Sequence, residues 1–249
     1  MELGQTQPSL ESNRQNQQAK VRVTTEALRL AAERFAPRLV MATGFGIEGC
    51  VLTDIIGRNR LPVDIFTLDT GLFFDETYAL WRKLEERYNL KIRAVRPELN
   101  VAEQAKQFGE ALWERDPDRC CEMRKVLPLR AALVDADAWI TAVRRDQTAE
   151  RAHASLLEHD QKFGLVKVNP LVDWTFQDVR DYVREHDVPY NLLYDQGYPS
   201  IGCTPCTSPV QAGEEARAGR WRGSQKTECG IHNRSSQEIL LPVLQPTGS

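Results

Sequence analysis

The stretch RLVMATGFGIEGCVLTDII, residues 38–56, decides the fold class. Arg38–Thr43 is a short apolar run that reads as a buried strand. Gly44, Gly46 and Gly49 punctuate the turn that follows. The apolar segment CVLTDII then reads as a helix. The same alternation continues downstream. Val63–Leu68 reads as a second strand and ends in Asp69-Thr70-Gly71; Asp75–Tyr88 reads as a helix, Lys91–Val95 as a third strand and Ala138–Ala142 as another. Upstream, Leu28, Ala31, Ala32 and Phe35 recur at helical spacing in residues 24–35, and a further helix is expected over Thr175–His186. Strands alternating with helices predict an α/β protein with a mostly parallel sheet. Ligands of such sheets bind beyond the carboxyl ends of the strands, where both Thr43–Gly49 and Asp69–Gly71 fall.

The 249 residues suit one large domain, or a domain with an appended tail. A net charge of -3 argues against a general nucleic-acid coat. No apolar run approaches the roughly 18 residues of a membrane span. Residues 1–20 are polar, rich in Gln and Asn, and lack the apolar stretch of a secretory signal. We expect them to form a flexible arm and the protein to reside in the cytoplasm. Beyond Pro189 the chain becomes rich in Gly and Pro, then basic. The expected organisation is an arm (1–20), a nucleotide-binding domain (21–200) and a tail folding over it (201–249).

Gly44-Phe45-Gly46-Ile47-Glu48-Gly49 fits G-x-G-x-x-G, with an acid, Asp69, about twenty residues on. That is a dinucleotide fingerprint by rule. It does not separate a nicotinamide cofactor from another adenosine phosphate, and a tight turn without a ligand is the plainer alternative. No G-x-x-x-x-G-K-[ST] is present. Of six cysteines, Cys120-Cys121 and Cys203-x-x-Cys206 supply four thiolates. Four cysteines suit structural zinc or an iron–sulfur cluster. Adjacent residues on a helix point about 100° apart, which is awkward for one small ion and easier for a cluster with separate irons. Unrelated packing thiols remain the bland alternative. Cys229, in KTECGIH, is a candidate nucleophile if Lys226, His232 and nearby arginines lower its pKa; otherwise it is a surface cysteine. Basic residues gather around these cysteines and, as Arg144, Arg145 and Arg151, after the Ala138–Ala142 strand. Such local excess in an acidic protein suits a small multiply charged anion.

Four motifs, CCEMRK (120–125), RRDQT (144–148), GCTPCT (202–207) and ECGIH (228–232), closely resemble the assimilatory adenylyl-sulfate reductases, the iron–sulfur branch of the phosphoadenylyl-sulfate reductase family. The likeness runs from about Arg38 to His232. It implies a Rossmann-like parallel sheet of the adenine-nucleotide alpha-hydrolase type, with helices on both faces and a flexible C-terminal tail carrying the catalytic Cys229. It implies that adenosine 5'-phosphosulfate is reduced to sulfite and AMP through an S-sulfo-cysteine on Cys229. The electron donor would be thioredoxin or glutaredoxin, and 3'-phosphoadenosine 5'-phosphosulfate is the alternative substrate. Cys120, Cys121, Cys203 and Cys206 then match the ligands of a [4Fe-4S] cluster, and Lys125 a lysine between cluster and substrate. Arg151, Arg217, Arg220 and His232, with Arg144, match residues around the phosphosulfate. Thr43, Gly44, Phe45, Gly46, Ile47 and Glu48, and Leu68, Asp69, Thr70 and Gly71, match the two loops that hold the nucleotide. The family often forms homo-oligomers. The sequence departs from the family's pattern in leaving Thr43 the one hydroxyl of the first loop, and in carrying Ala142 where a glycine is common.

Overall fold

The computed structural model describes residues 10–231 and 236–238. In chain order it holds α1 (Leu10–Phe35), β1 (Leu39–Ala42), α2 (Ile47–Asn59), β2 (Asp64–Leu68), α3 (Asp75–Tyr88) and β3 (Ile92–Val95). Four short helices follow as α4 (Val101–Phe108), α5 (Leu112–Arg115), α6 (Pro117–Cys121) and α7 (Leu127–Ala132). Then come β4 (Ala138–Ile140), β5 (Leu157–Asp160), β6 (Leu165–Val168), α8 (Phe176–Glu185) and β7 (Ser236–Glu238). The sheet order is β3-β2-β1-β4-β6-β5-β7. The first five strands in that order pair in parallel, and β5 is antiparallel to both its neighbours.

Alternating side chains on each strand build two apolar layers. Leu39 and Met41 of β1, Ile65 of β2 and Ile140 of β4 face a core shared with α1, α2, α3 and α8. Val40, Phe66 and Trp139 face the other way, against Leu129 of α7 and Leu133 just beyond it. Helices therefore cover both faces, as the alternating pattern predicts. Strands β2 and β4 lie on opposite sides of β1, so strand order reverses there. The crevice at the ends of β1 and β4 is the topological switch point at which such sheets bind ligands.

Residues 10–20 differ from the expected flexible arm, because they form the first turns of α1. Polar contacts rather than an apolar stripe dock them. Gln17 donates to the Asp178 carbonyl at 2.9 Å, and Lys20 reaches the Asp178 carboxylate at 2.5 Å. Asp178 also completes a capping box with Thr175 at the start of α8. The hairpin β5–β6 was not expected from the sequence either, and it carries the antiparallel edge of the sheet.

Candidate active site

Where β1 ends, the backbone must turn sharply into α2. The Thr43 hydroxyl accepts from the Phe45 N–H at 3.1 Å and shapes the turn. Phe45, not a glycine, takes the left-handed conformation, with φ 58°. Its buried ring stacks on Trp81 at 5.5 Å and meets Phe73 edge-on at 6.3 Å. Thus Phe45 and Ile47 belong to the core, while Thr43, Gly44, Gly46, Glu48 and Gly49 line a cavity of about 420 Å³. The Ile47 N–H, at the start of α2, donates to the Tyr194 hydroxyl at 3.0 Å.

The same cavity is lined by Leu68, Lys125, Arg144, Arg151, Arg217, Arg220, Cys203 and Cys229. Most of the expected site residues therefore meet at the switch point. The second loop is the exception. Only Leu68 lines the cavity, and the Asp69 carboxylate is committed to Tyr78 (2.8 Å), the Gly71 N–H (3.1 Å) and Arg96 (3.0 Å). The Asp69 carboxylate is thus engaged within the protein and does not line the cavity, which weakens the dinucleotide interpretation. The Thr70 hydroxyl lies 3.4 Å from the Cys203 sulfur, and Arg124 donates to the Thr70 carbonyl at 2.8 Å. The turn after β2 therefore supports the cysteines. His232 lies outside the described residues.

The four paired cysteines come together. Cys120, Cys121, Cys203 and Cys206 line one small cavity, walled by Leu72, Trp113, Pro117, Arg124 and Lys125. Cys120 and Cys121 end α6, and the next residues, Glu122–Val126, form a π-helical turn before α7. Such a turn re-aims side chains within a continuous helix and recurs at functional sites. Lys125 sits on it and lines both cavities. Among the described residues no group of three His, Cys, Asp or Glu side chains is set to hold a single metal ion.

Electrostatics distinguish the thiols. Burial pushes Cys120, Cys121 and Cys206 each up to about 11. Burial acts on Cys203 in the same direction, but Lys125, the Thr70 hydroxyl and Arg220 outweigh it and hold this thiol below its ordinary value. For Lys125, burial favours the neutral amine; Cys203, Cys229 and Cys121 reverse that and hold its ammonium above the usual lysine range.

Residues the sequence reading missed complete the wall. The Gln147 side-chain oxygen accepts from the Arg144 N–H (3.1 Å) and from Arg151 (2.5 Å), while its amide donates to Glu48 (3.2 Å). Its place in RRDQT was its only signal. Tyr194 and Trp221 also line the cavity. The tail is laid across the site. Lys226 pairs with Asp118 of α6, Glu228 with Arg151 and Arg217, and Lys162 of the β5–β6 turn donates to the Gly230 carbonyl. Around the cavity, Nε of Arg151 and Arg220 and Nη1 of Arg144 are buried without a hydrogen-bond partner. A cavity rimmed by arginine donors in want of acceptors, with a thiol beside them, suits covalent capture of an anionic substrate.

Residues 38–209 match the phosphoadenosine phosphosulfate reductase domain. The chain belongs to this family. Among its relatives, the adenosine 5'-phosphosulfate reductase of Geobacillus thermodenitrificans (strain NG80-2) is 48% identical over 208 residues, covering 83% of this chain and 88% of that protein. Adenosine 5'-phosphosulfate reductase 1 of Bacillus subtilis (strain 168) is 48% identical over 206 residues, covering 82% and 88%. The crystal structure of phosphoadenylyl-sulfate (PAPS) reductase from Candida auris, a phosphate complex, aligns with a TM-score of 0.68 at 33% identity, covering 83% of this chain and all of that one. The fold and the family expected from the four motifs are both borne out. No helix among the described residues is long and apolar enough to cross a membrane.

Proposed function

We propose that the protein reduces adenosine 5'-phosphosulfate to sulfite and AMP in sulfate assimilation. The observation that carries this proposal is the meeting of Cys229 with Lys125, Arg151, Arg217 and Arg220 in one cavity at the strand ends. The relatives named adenosine 5'-phosphosulfate reductase support it. In the proposed reaction the Cys229 thiolate attacks the sulfur of the substrate's sulfonyl group. The bond from that sulfur to the bridging oxygen breaks, and AMP leaves with the electron pair. Splitting a difficult reduction into two displacements is what a covalent nucleophile achieves. Charge grows on the departing phosphate, and the arginines and Lys125 stabilise it there. A donor dithiol, of thioredoxin or glutaredoxin, then attacks the Cys229 sulfur. Sulfite leaves, and the donor's second thiol resolves the mixed disulfide, so that two electrons pass from dithiol to sulfur.

Four thiols from two distant segments around one cavity suit a [4Fe-4S] cluster. Cys120, Cys121, Cys203 and Cys206 would hold it. When bound, it supplies a fixed anionic group beside Lys125 rather than a route for electrons. All six cysteines are free thiols among the described residues, in keeping with a reducing cytoplasm.

The test is to mix enzyme and adenosine 5'-phosphosulfate with reductant withheld. One AMP is released per active enzyme, and the peptide bearing Cys229 gains SO3 by mass. Absence of that adduct overturns the mechanism. The likeness to a PAPS reductase structure at 33% identity keeps the 3'-phosphorylated nucleotide as the second substrate to test. Comparing kcat/KM for the two nucleotides decides between them.

A further inference from the structure

Glu228 immediately precedes the nucleophile, and its carboxylate lies 3.0 Å from Arg151 and 3.2 Å from Arg217. All three side chains are largely enclosed: Glu228 is 11%, Arg151 12% and Arg217 23% exposed. Two enclosed cations in one cavity repel each other and lose solvation unless an anion sits between them. Adenosine 5'-phosphosulfate, if it is the substrate as proposed above, brings its own anion to the same cavity. Those arginines must therefore serve two anions in turn.

We infer that Glu228 is a tethered occupant of the substrate's anion seat. Its carboxylate neutralises Arg151 and Arg217 until the phosphosulfate displaces it, and it returns when AMP departs. Two features support exchange of the side chain alone. The flanking residues are held by contacts that do not involve the Glu228 carboxylate: the Lys226 side chain pairs with Asp118, Arg217 donates to the Thr227 carbonyl at 2.8 Å, and Lys162 donates to the Gly230 carbonyl. Glu228 can thus swing away while Cys229 stays over the cavity. The fit of Glu228 to the seat is also incomplete, because its own Oε1 and the buried Nε groups of Arg151 and Arg220 make no hydrogen bond. A phosphosulfate, with more acceptor oxygens, satisfies more of these donors and wins the exchange.

The experiment uses Cys229→Ser as a background that binds without turning over. It compares that protein with Cys229→Ser/Glu228→Gln by calorimetric titration. The probes are adenosine 5'-phosphosulfate and, as an uncharged control, adenosine. Removing the internal competitor tightens phosphosulfate binding by about fivefold to tenfold, the weight of one partly enclosed ion pair, and leaves adenosine affinity unchanged. A Glu228→Asp variant, whose carboxylate reaches less far, tightens binding by a smaller factor and serves where the glutamine variant fails to fold. Equal or weaker phosphosulfate binding in the folded Glu228→Gln protein overturns the inference and makes Glu228 a clamp on the tail. If the Cys229→Ser parent binds neither probe, the proposed function falls and the inference with it. If the parent binds both but Glu228→Gln brings no tightening, only the inference falls.

Discussion

Two glycines of the first loop, Gly44 and Gly49, make a sharp test, because they are small for different reasons. A Cβ placed at Gly49 lies 2.7 Å from the Thr43 hydroxyl, against 3.4 Å or more for an ordinary contact. A Cβ at Gly44 meets no protein atom within 4 Å, although Gly44 lines the cavity. Gly49→Ala therefore overpacks the turn, at a cost of about 1–3 kcal/mol. Better helix propensity within α2 returns about 1 kcal/mol. The net loss of roughly 0–2 kcal/mol lowers Tm by up to about 8 °C in a protein of this size. Thr43 must also move, and its bond to the Phe45 N–H goes with it, so AMP binding weakens too. Gly44→Ala leaves Tm unchanged but puts a methyl group where the nucleotide approaches, weakening AMP binding by about tenfold, or 1.4 kcal/mol. Scanning fluorimetry and calorimetric titration with AMP read both quantities. If Gly44→Ala binds AMP as tightly as the native protein, the loop does not face the nucleotide. If Gly49→Ala keeps both Tm and affinity, the steric argument is wrong.

Three further outcomes are expected. Replacing Cys203 by Ser lowers iron and acid-labile sulfide together in anaerobically purified protein; zinc without iron in the native protein refutes the cluster. Lys162→Ala releases the Gly230 carbonyl, so trypsin cuts after Arg222 and Lys226 several-fold faster at unchanged Tm; an unchanged rate shows that the β5–β6 turn does not anchor the tail. Burial raises the Asp178 pKa, but Lys20 and Thr175 more than offset this and hold it below the ordinary carboxylate value. A depressed carboxylate contributes stability above its unfolded pKa of about 4, and that stability is lost as pH falls through the folded value. The Tm gap between native protein and Asp178→Asn, open at pH 7, therefore narrows below pH 4; a constant gap refutes the assignment.

The parallel core was legible because its strands are apolar runs and its helices keep a 3.6-residue period. The hairpin was not, because β5 and β6 bury charge. Glu158 and Lys167 pair at 3.3 Å inside the structure, and together with Asp160 they disguise a strand as a polar loop. Residues 10–20 escaped for a related reason: side-chain amides and charges dock them, and hydrophobic periodicity does not register such contacts. In the site, the cysteines and arginines were readable from residue type and spacing. The orientation of Asp69–Gly71 was not, because the direction a turn faces depends on partners such as Tyr78, Arg96 and Cys203. Nothing in EMRKV announced the π-helical turn that carries Lys125 between the two cavities. Gln147, Tyr194 and Glu228 act through geometry that a linear pattern cannot supply.

Phe45 holds a backbone conformation that costs a side-chain-bearing residue about 1–2 kcal/mol, and Trp81 and Phe73 keep it there. The shape of the nucleotide loop is therefore set largely from inside the protein, by an aromatic cluster of which Phe73 alone borders the cavity. Warming should soften this cluster ahead of global melting and blunt nucleotide affinity while the sheet is still intact. The temperature at which the enzyme loses its grip on AMP would then follow the fluorescence of Trp81 rather than the midpoint of unfolding.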